Sequence, residues 1–261
     1  MKKIFTVFAA LLSLSIAVVA FLPEQQKNLI EEIFVEPTYN SLSGREGSDG
    51  EVLVVKIDDT TAARPQIGID RADIVYIEQV EAGLTRLAAV FSSEIPTEIG
   101  PVRSARISDI EILAQYGRVV FAYSGAQSKL LPAIAAANLN DYGAQRQSPT
   151  IYIRDETRTA PTNMVLRADL LLEKVRSDER EIATSRSVGW DFGDLPNGGI
   201  AITDAKVTWP VASYEVKWSA GENRWLLFNN GIPNMSASGV QHGPTTFLIQ
   251  IVEVSPSEYG D

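Results

Sequence analysis

The sequence predicts an α/β domain followed by a small, mostly β domain, with a hydrophobic signal or anchor helix at the N-terminus. Short β-branched runs alternate with helix signals over residues 52–185, which is typical of an α/β domain. Over residues 186–261 the composition changes, and all four tryptophans lie there among glycines and asparagines. The remaining residues divide into the signal or anchor segment (1–22) and a juxtamembrane segment with a linker (23–51).

Short apolar runs mark the predicted strands. In the second domain, Tyr214, Val216 and Trp218 alternate with polar residues, and a turn at 220–223 leads into another apolar run, so a hairpin is predicted. Residues 246–254 are predicted as a further strand. In the α/β domain, the predicted strands are residues 52–57, 72–80, 86–91 and 118–123.

Three helices are predicted in the α/β domain from their capping residues. Ser108 followed by Glu111 is a capping box, and Gly117 marks the end of that helix. A second box, Ser124 with Gln127, opens a helix over residues 130–137. The third helix has Asn163 as its predicted cap, with an apolar face formed by Leu166, Leu170, Leu171 and Val175.

The N-terminus has the composition of an export signal. Lys2 and Lys3 precede an almost purely apolar run at residues 4–22, close to the roughly 20 residues that span a bilayer. Positive charge before such a run leaves the rest of the chain outside the cytoplasm. We therefore expect an extracytoplasmic protein that is anchored in the membrane by this segment, or secreted if the segment is cleaved near residues 18–20.

Composition excludes several classes of function. The net charge of −10 argues against a general nucleic-acid binder, which needs a basic surface to displace counterions from phosphates. The chain has no cysteine and a single histidine, His242, so thiolate zinc sites and cysteine nucleophiles are excluded and a metal would have only oxygen ligands. The Walker, Rossmann and GxSxG motifs are also absent. We expect no metal site and no cofactor, and a binding protein rather than an enzyme.

Polar residues concentrated in the α/β domain form the candidate binding site. The physical case is strongest at residues 100–106, where a turn with Arg103 and Arg106 precedes a helix N-terminus and suits bidentate contact with phosphate or carboxylate. We expect both arginines to face a solvent-accessible crevice. The alternative is that they pair with nearby carboxylates as a structural network. The candidate ligand-binding residues are Arg64, Asp73, Glu78, Glu81, Arg86, Arg103, Ser104, Arg106, Arg154, Asp155, Arg158 and Asn163.

Glu78 and Glu81 form an alternative catalytic pair. Two carboxylates several ångströms apart are sufficient for glycoside cleavage. Nothing else in the sequence supplies a nucleophile or oxyanion donors, so two salt-bridged framework carboxylates are the favoured interpretation.

Several of these stretches resemble the YerB-like envelope lipoprotein family. The most specific is Gly-Pro-Val-Arg-Ser-Ala-Arg at residues 100–106. The resemblance implies two domains, an extracytoplasmic membrane-tethered location and a largely unassigned biochemical function. Many relatives carry a lipobox cysteine that this chain lacks, and its C-terminal domain stops earlier than the resemblance implies. The other similar stretches are residues 42–44, 56–58, 63–68, 72–76, 81–86, 152–155, 158, 161–163 and, for the smaller C-terminal domain, 205–231.

Three hypotheses for function follow. The leading one is an exported, membrane-associated accessory or binding protein of the cell envelope, with a crevice of arginines and carboxylates for an anionic or glycan ligand or an envelope protein. The second is an envelope glycan hydrolase that uses Glu78 and Glu81. The third assigns the arginines to the framework and the function to exposed aromatic residues of the second domain. Whether the arginines converge on a crevice distinguishes the first from the third.

Overall fold

The structure, a computed structural model, describes residues 38–193 and 197–260. The chain divides into two compact units, Met1–Thr38 and Tyr39–Asp261. The predicted signal or anchor at residues 4–22 lies outside the described residues. Within the described part of the chain, no helix has the length and apolar character needed to cross a bilayer.

Among the residues that the structure describes, the Tyr39–Asp261 unit contains three β-sheets and three α-helices. The helices are α1 (Ile107–Ala114), α2 (Leu131–Ala136) and α3 (Ala168–Ser177). The strands are β1 (Leu53–Asp58), β2 (Ile74–Gln79), β3 (Thr85–Phe91), β4 (Glu98–Ile99), β5 (Val120–Ala122), β6 (Asn140–Asp141), β7 (Tyr152–Arg154), β8 (Met164–Arg167), β9 (Asp204–Thr208), β10 (Ser213–Ser219), β11 (Arg224–Asn229) and β12 (Ile232–Pro233).

A five-stranded mixed sheet in the order β2-β3-β1-β5-β6 forms the centre of this unit. β1 pairs antiparallel with β3 and parallel with β5. Every residue of β1 is buried, because one face of the sheet packs under α1 and α2 and the other packs under α3 and the small sheet β4-β8-β7. A strand covered on both faces has a continuous apolar run, and this explains the β-branched sequence of β1.

The side of the sheet that faces α1 carries the charged residues of the site. Successive strand residues point to opposite faces, so Lys56 and Asp58 continue the face on which Val52 and Val54 pack against α1. Charged residues therefore follow apolar ones along the same face, and they lie where β1 ends.

The second domain is a four-stranded antiparallel sheet in the order β12-β11-β10-β9. The predicted hairpin is confirmed as β10 and β11, with Trp218 opposite Trp225 and their ring centroids 5.4 Å apart. The mixed α/β character of the first domain and the small β domain after it agree with the predicted fold class.

Three predicted helix starts differ in the structure. The Ser124 and Gln127 box does not cap α2, whose N-cap is Leu130 with no side-chain hydrogen bond. Helix α1 begins at Ile107 because the Asp109 carboxylate, rather than Ser108 or Glu111, caps it: Asp109 Oδ2 accepts the backbone N–H of Arg106 at 2.6 Å. Asn163 caps no helix, because β8 lies between it and α3. The buried apolar residues at the start of β8 pair with β7 instead of continuing a helix.

Two predicted connecting or terminal segments also differ. Residues 39–51, predicted as part of a linker, pack on the core: Leu42 is buried beside α1, and Asn40 Nδ2 lies 3.4 Å from Ser92 Oγ. Residues 246–254 form no strand. A strand needs a neighbour for its backbone hydrogen bonds, and no described residue pairs with this segment. The segment is also exposed, and Ile251 in it is 95% exposed.

Candidate functional site

Three charged residues lie side by side across β1, β3 and β2. Arg86 of β3 is paired in register with Asp58 on one side and with Glu78 on the other. Opposite charges at facing positions of neighbouring strands stabilise the pairing. The row places an arginine between two carboxylates on the face of the sheet that α1 covers.

Lys56 lies on the same face of β1, two residues before Asp58, and forms ion pairs with two carboxylates. Its Nζ lies 2.6 Å from Glu78 Oε1 and 2.7 Å from Asp109 Oδ1, and the side chains of Lys56 and Asp109 are 0% exposed. Burial lowers the pKa of the lysine, but the attraction of Asp109 and Glu78 outweighs burial and raises it. Burial raises the pKa of Asp109 to about 6, although Lys56 opposes the change. Ser108 Oγ donates to Glu78 Oε2 at 2.6 Å, so both oxygens of Glu78 are engaged.

Two buried arginines bind the carboxylate of Glu81. Arg106 contacts it through two nitrogens, with Nε 2.7 Å from Oε2 and Nη2 bonded to Oε1. Arg86 Nη2 lies 3.2 Å from Oε1, and its Nη1 donates to the Ser104 carbonyl at 3.0 Å. The side chain of Glu81 is 45% exposed, whereas both arginine side chains are buried. The carboxylate therefore lies at the surface with two guanidinium groups beneath it.

The electrostatics of this cluster favour a negative group at its surface. Burial and the neighbouring charges of Arg106 and Arg103 together lower the pKa of Arg86 to about 10, and the carboxylates of Glu81 and Asp58 oppose the change. Burial works to raise the pKa of Glu81, but hydrogen bonds from Arg106 and the nearby positive charges lower it to about 2. Arg103 Nε lies 3.0 Å from Asp58 Oδ2. Three guanidinium groups thus face two carboxylates, those of Glu81 and Asp58.

A tight turn fixes Glu81 over the arginines. In the 3-10 turn Glu81–Gly83, Ala82 has φ 59, a left-handed conformation that is uncommon for a residue with a Cβ. A Cβ on Gly83 would lie 2.5 Å from Pro210 of the second domain, so only glycine fits there. Backbone strain of this kind persists where the surroundings hold it, and it is concentrated at functional sites.

Comparison with known proteins assigns this region to a family. A family model described as "Protein of unknown function (DUF3048) N-terminal domain" matches residues 41–181. The chain belongs to the DUF3048 family. A stretch of 54 residues is 44% identical to the protein named "Putative lipoprotein YerB" of Bacillus subtilis (strain 168), covering 21% of this chain and 16% of that relative.

The fold is also that of a YerB-like protein. The crystal structure of YerB protein from Bacillus subtilis matches with a TM-score of 0.68 at 18% identity, over 79% of this chain and 72% of that chain. The resemblance to the YerB-like family is therefore confirmed. The family description assigns no biochemical function, so function has to be argued from the site.

All candidate ligand-binding residues lie in the region that the DUF3048 family model matches. The structure brings six of them together at the end of β1. Arg106 differs from expectation, because it is 6% exposed and bound to Glu81, whereas Arg103 keeps 28% of its side chain exposed. The six residues are Glu78, Glu81, Arg86, Arg103, Ser104 and Arg106.

Three other candidates lie outside this cluster. Asp73 holds the end of β3, where its Oδ2 accepts the backbone N–H of Ser92 at 2.7 Å. Arg154 Nη1 donates to Asn163 Oδ1 at 2.8 Å on the exposed β7–β8 hairpin. These contacts fix loops, and none of them reaches the arginines around Glu81.

The remaining candidates surround the loop that follows β1. Arg158 Nε lies 3.0 Å from Asp155 Oδ2, and Arg158 Nη1 and Nη2 donate to the carbonyls of Ala63 at 2.9 Å and Pro65 at 2.7 Å. Arg64 turns the other way and pairs with Asp59 at 2.7 Å. This loop lies against the second domain.

Several residues of the site were not among the sequence candidates. They are charged residues that pair with the candidate residues. The sequence could have indicated them by a charged residue at a position where a buried strand is expected to have an apolar one. Lys56 interrupts the β-branched run of a doubly buried strand, and buried lysines are rare unless they are paired. The residues missed are Lys56, Asp58, Asp59 and Asp109.

The Glu78 and Glu81 pair lacks the features of glycan hydrolysis. A general acid in such a pair needs a raised pKa. Glu78 is bonded to Lys56 and Ser108, and the pKa of Glu81 is lowered to about 2. In the described ranges there is also no group of three side chains suited to a metal ion. The pair therefore offers no argument for glycan hydrolysis.

Proposed function

We propose that this protein is an exported, membrane-associated binding protein of the cell envelope, and that Arg86, Arg103 and Arg106 bind an anionic group of an envelope polymer. One observation carries the proposal: the carboxylate of Glu81 lies at the surface in the bidentate position over Arg106 and Arg86 that an external phosphate or carboxylate would take. Glu81 then acts as an internal substitute for the ligand.

Exchange between Glu81 and an external anion has a low free-energy cost. Both Glu81 and the external anion keep the two buried guanidinium groups paired. The large free-energy cost of leaving a buried charge without a partner is therefore avoided. The release of Ala82 from its left-handed conformation offsets part of the cost of opening the turn. Arg103, which is partly exposed beside the pair, supplies the additional positive charge.

The net charge of the chain restricts how the ligand is recognised. At −10 the protein repels a polyanion at long range, so attraction by the overall field is excluded as the source of affinity. Recognition instead depends on short-range contacts with one or two anionic groups. Such contacts are charge-assisted hydrogen bonds, each worth roughly 1.5–3 kcal/mol.

The proposed location has two supports. Lys2 and Lys3 with the apolar run at residues 4–22 are typical of an export signal or membrane anchor. The Bacillus subtilis relative has "lipoprotein" in its name. Both are consistent with a domain that works on the outer side of the membrane.

Binding of defined polymers tests this function. The full chain in detergent is titrated with oligomers of poly(glycerol phosphate), with oligogalacturonate and with neutral dextran. We expect one of the two anionic polymers to bind and dextran not to bind. Replacement of Arg103 by Gln should weaken binding about tenfold, through loss of one charge-assisted contact. The control is Arg118→Gln, which alters an exposed arginine that contacts Asn138. Equal weakening by both variants, or equal binding of all three polymers, contradicts the proposal.

A further inference from the structure

Buried polar atoms without partners concentrate where the loop after β1 meets the second domain. Within the part of the chain that the structure describes, the buried side-chain nitrogens and oxygens with neither hydrogen bond nor ion pair fall in two segments, 60–66 and 229–242. Such atoms are rare in folded proteins, and each one calls for a water or a ligand. They belong to Thr60, Arg64, Gln66, Asn229, Asn234 and His242.

The two segments contact each other directly. Arg64 Nη1 donates to Asn229 Oδ1 at 2.6 Å, and the carbonyl of Gln66 accepts the N–H of Ala237 at 2.8 Å. Asp59 accepts from Arg64 Nη2 at 2.7 Å and from the Tyr214 hydroxyl at 2.5 Å. The positive charge of Arg64 is therefore already balanced by Asp59.

A cavity of about 210 Å³ opens at this contact. Thr60, Arg64 and Asn229 lie in its wall, while Leu84 and Val211 give it an apolar side. The volume equals that of about seven water molecules, at roughly 30 Å³ each. It is smaller than the pockets of about 300–1,000 Å³ that hold drug-sized ligands. The cavity suits one small molecule with a polar and an apolar side.

The unpartnered atoms of the wall are mainly donors. Arg64 has only donors, so the oxygen of Asn229 must face it, and the amide nitrogen of Asn229 is left without a partner. Arg64 Nε is a second unpartnered donor, and the Thr60 hydroxyl can donate or accept. A molecule in the cavity therefore has to offer an acceptor, and this acceptor need not carry a charge.

We propose that this cavity binds an N-acetylated amino sugar. The acetamido carbonyl oxygen accepts from Asn229 Nδ2 and Arg64 Nε, and the acetyl methyl packs against Leu84 and Val211. The ring hydroxyls both donate and accept, which matches the Thr60 hydroxyl. The cavity is lined by neither Arg86 nor Arg106, although Leu84 in its wall directly follows the Glu81–Gly83 turn.

Titration of the full chain in detergent with three sugars tests the site. N-acetylglucosamine should bind with a dissociation constant on the order of 1 mM, and glucosamine and glucose should bind about tenfold more weakly or not at all. Asn229→Asp keeps the oxygen that faces Arg64 but removes the donor, so it should weaken binding about tenfold. Thr60→Val, which removes only a hydroxyl, should weaken it in the same direction.

The matched control is Asn138→Asp, which should leave binding unchanged. Asn138 is an exposed asparagine whose Oδ1 also accepts from an arginine, Arg118 Nε, at 3.4 Å. If Asn229→Asp fails to fold in a thermal melt, Thr60→Val decides the question, because its hydroxyl has no partner to lose.

Three outcomes overturn the proposal. Equal binding of the three sugars shows that the acetamido group is not recognised, and wild-type affinity in both Asn229→Asp and Thr60→Val shows that the sugar does not bind in this cavity. Binding of N-acetylalanine amide as tightly as N-acetylglucosamine shows that the wall recognises any acetamido group, and removes the assignment to a sugar.

Discussion

Lys56 of β1 and Asp109 of α1 form a fully buried ion pair, with 2.7 Å between Nζ and Oδ1. The pair joins the central strand to the helix that covers it. Asp109 also caps that helix by accepting the backbone N–H of Arg106 at 2.6 Å. The position of Arg106 over the sheet, and hence the arginine pair around Glu81, therefore depends on this contact.

Replacement of Lys56 by Met should strongly destabilise the fold. The change leaves the carboxylates of Asp109 and Glu78 buried without their cation, and breaking a buried pair in this way costs about 3–5 kcal/mol. Lys174→Met is the matched control, since Lys174 pairs with Asp178 on the exposed side of α3 and such pairs contribute about 0–1 kcal/mol. Urea unfolding measures both free energies. Equal losses in the two variants contradict a framework role for Lys56.

Arg106 and Arg103 should differ in their effect on stability. Arg106 is buried and bonded to Glu81, so Arg106→Ala should lower the free energy of unfolding by roughly 1.5–3 kcal/mol. The Arg103 side chain is partly exposed, and Arg103→Ala should cost about 0–1 kcal/mol. Thermal or urea unfolding of the two variants provides the comparison. The reverse order means that Arg103, and not Arg106, supports the fold.

His242 should titrate well below the usual range of histidine. Burial lowers its pKa to about 4, with Arg64 and Arg224 acting in the same direction and Asp70 opposing them. The unfolded chain binds the proton near pH 6.5 and the folded chain only near pH 4, so stability falls as the pH falls through this window, by up to about 3 kcal/mol.

Because the chain has a single histidine, one imidazole resonance in an NMR titration gives the pKa directly. His242→Gln should remove the pH dependence that His242 contributes between pH 6.5 and pH 4. A titration midpoint near 6.5 shows that the ring is hydrated in the folded protein.

Local patterns in the sequence predict the elements that local interactions decide. The β-branched run of β1 and the alternation of Tyr214, Val216 and Trp218 both match the observed strands. The start of α1 was predicted wrongly, because Ser108 and Glu111 match a capping box while the side chain that actually caps belongs to Asp109. A pattern of residue types does not reveal which of two nearby acids the tertiary structure turns toward the backbone.

The candidate site was predictable in its composition but not in its geometry. Arg86, Arg103 and Arg106 were recognisable as a group because two of them precede a helix in one turn-rich motif. Which arginine is buried depends on Glu81, which reaches Arg106 from another part of the chain. The cavity beside Arg64 was missed, since four of its ten lining residues come from the second domain and no local signal connects Arg64 with Asn229.

The central claim is that Glu81 occupies the place of an external anion over Arg86 and Arg106. The most direct test is the dissociation constant of the anionic polymer that binds, glycerol phosphate oligomer or oligogalacturonate, measured by calorimetry for the wild type and for Glu81→Gln. A group that competes for the arginines lowers the apparent affinity by the fraction of time it occupies them. The account predicts that Glu81→Gln binds about tenfold more tightly than the wild type. Affinity that is unchanged or weaker in the folded variant contradicts it, and assigns Glu81 and its arginines to the framework alone.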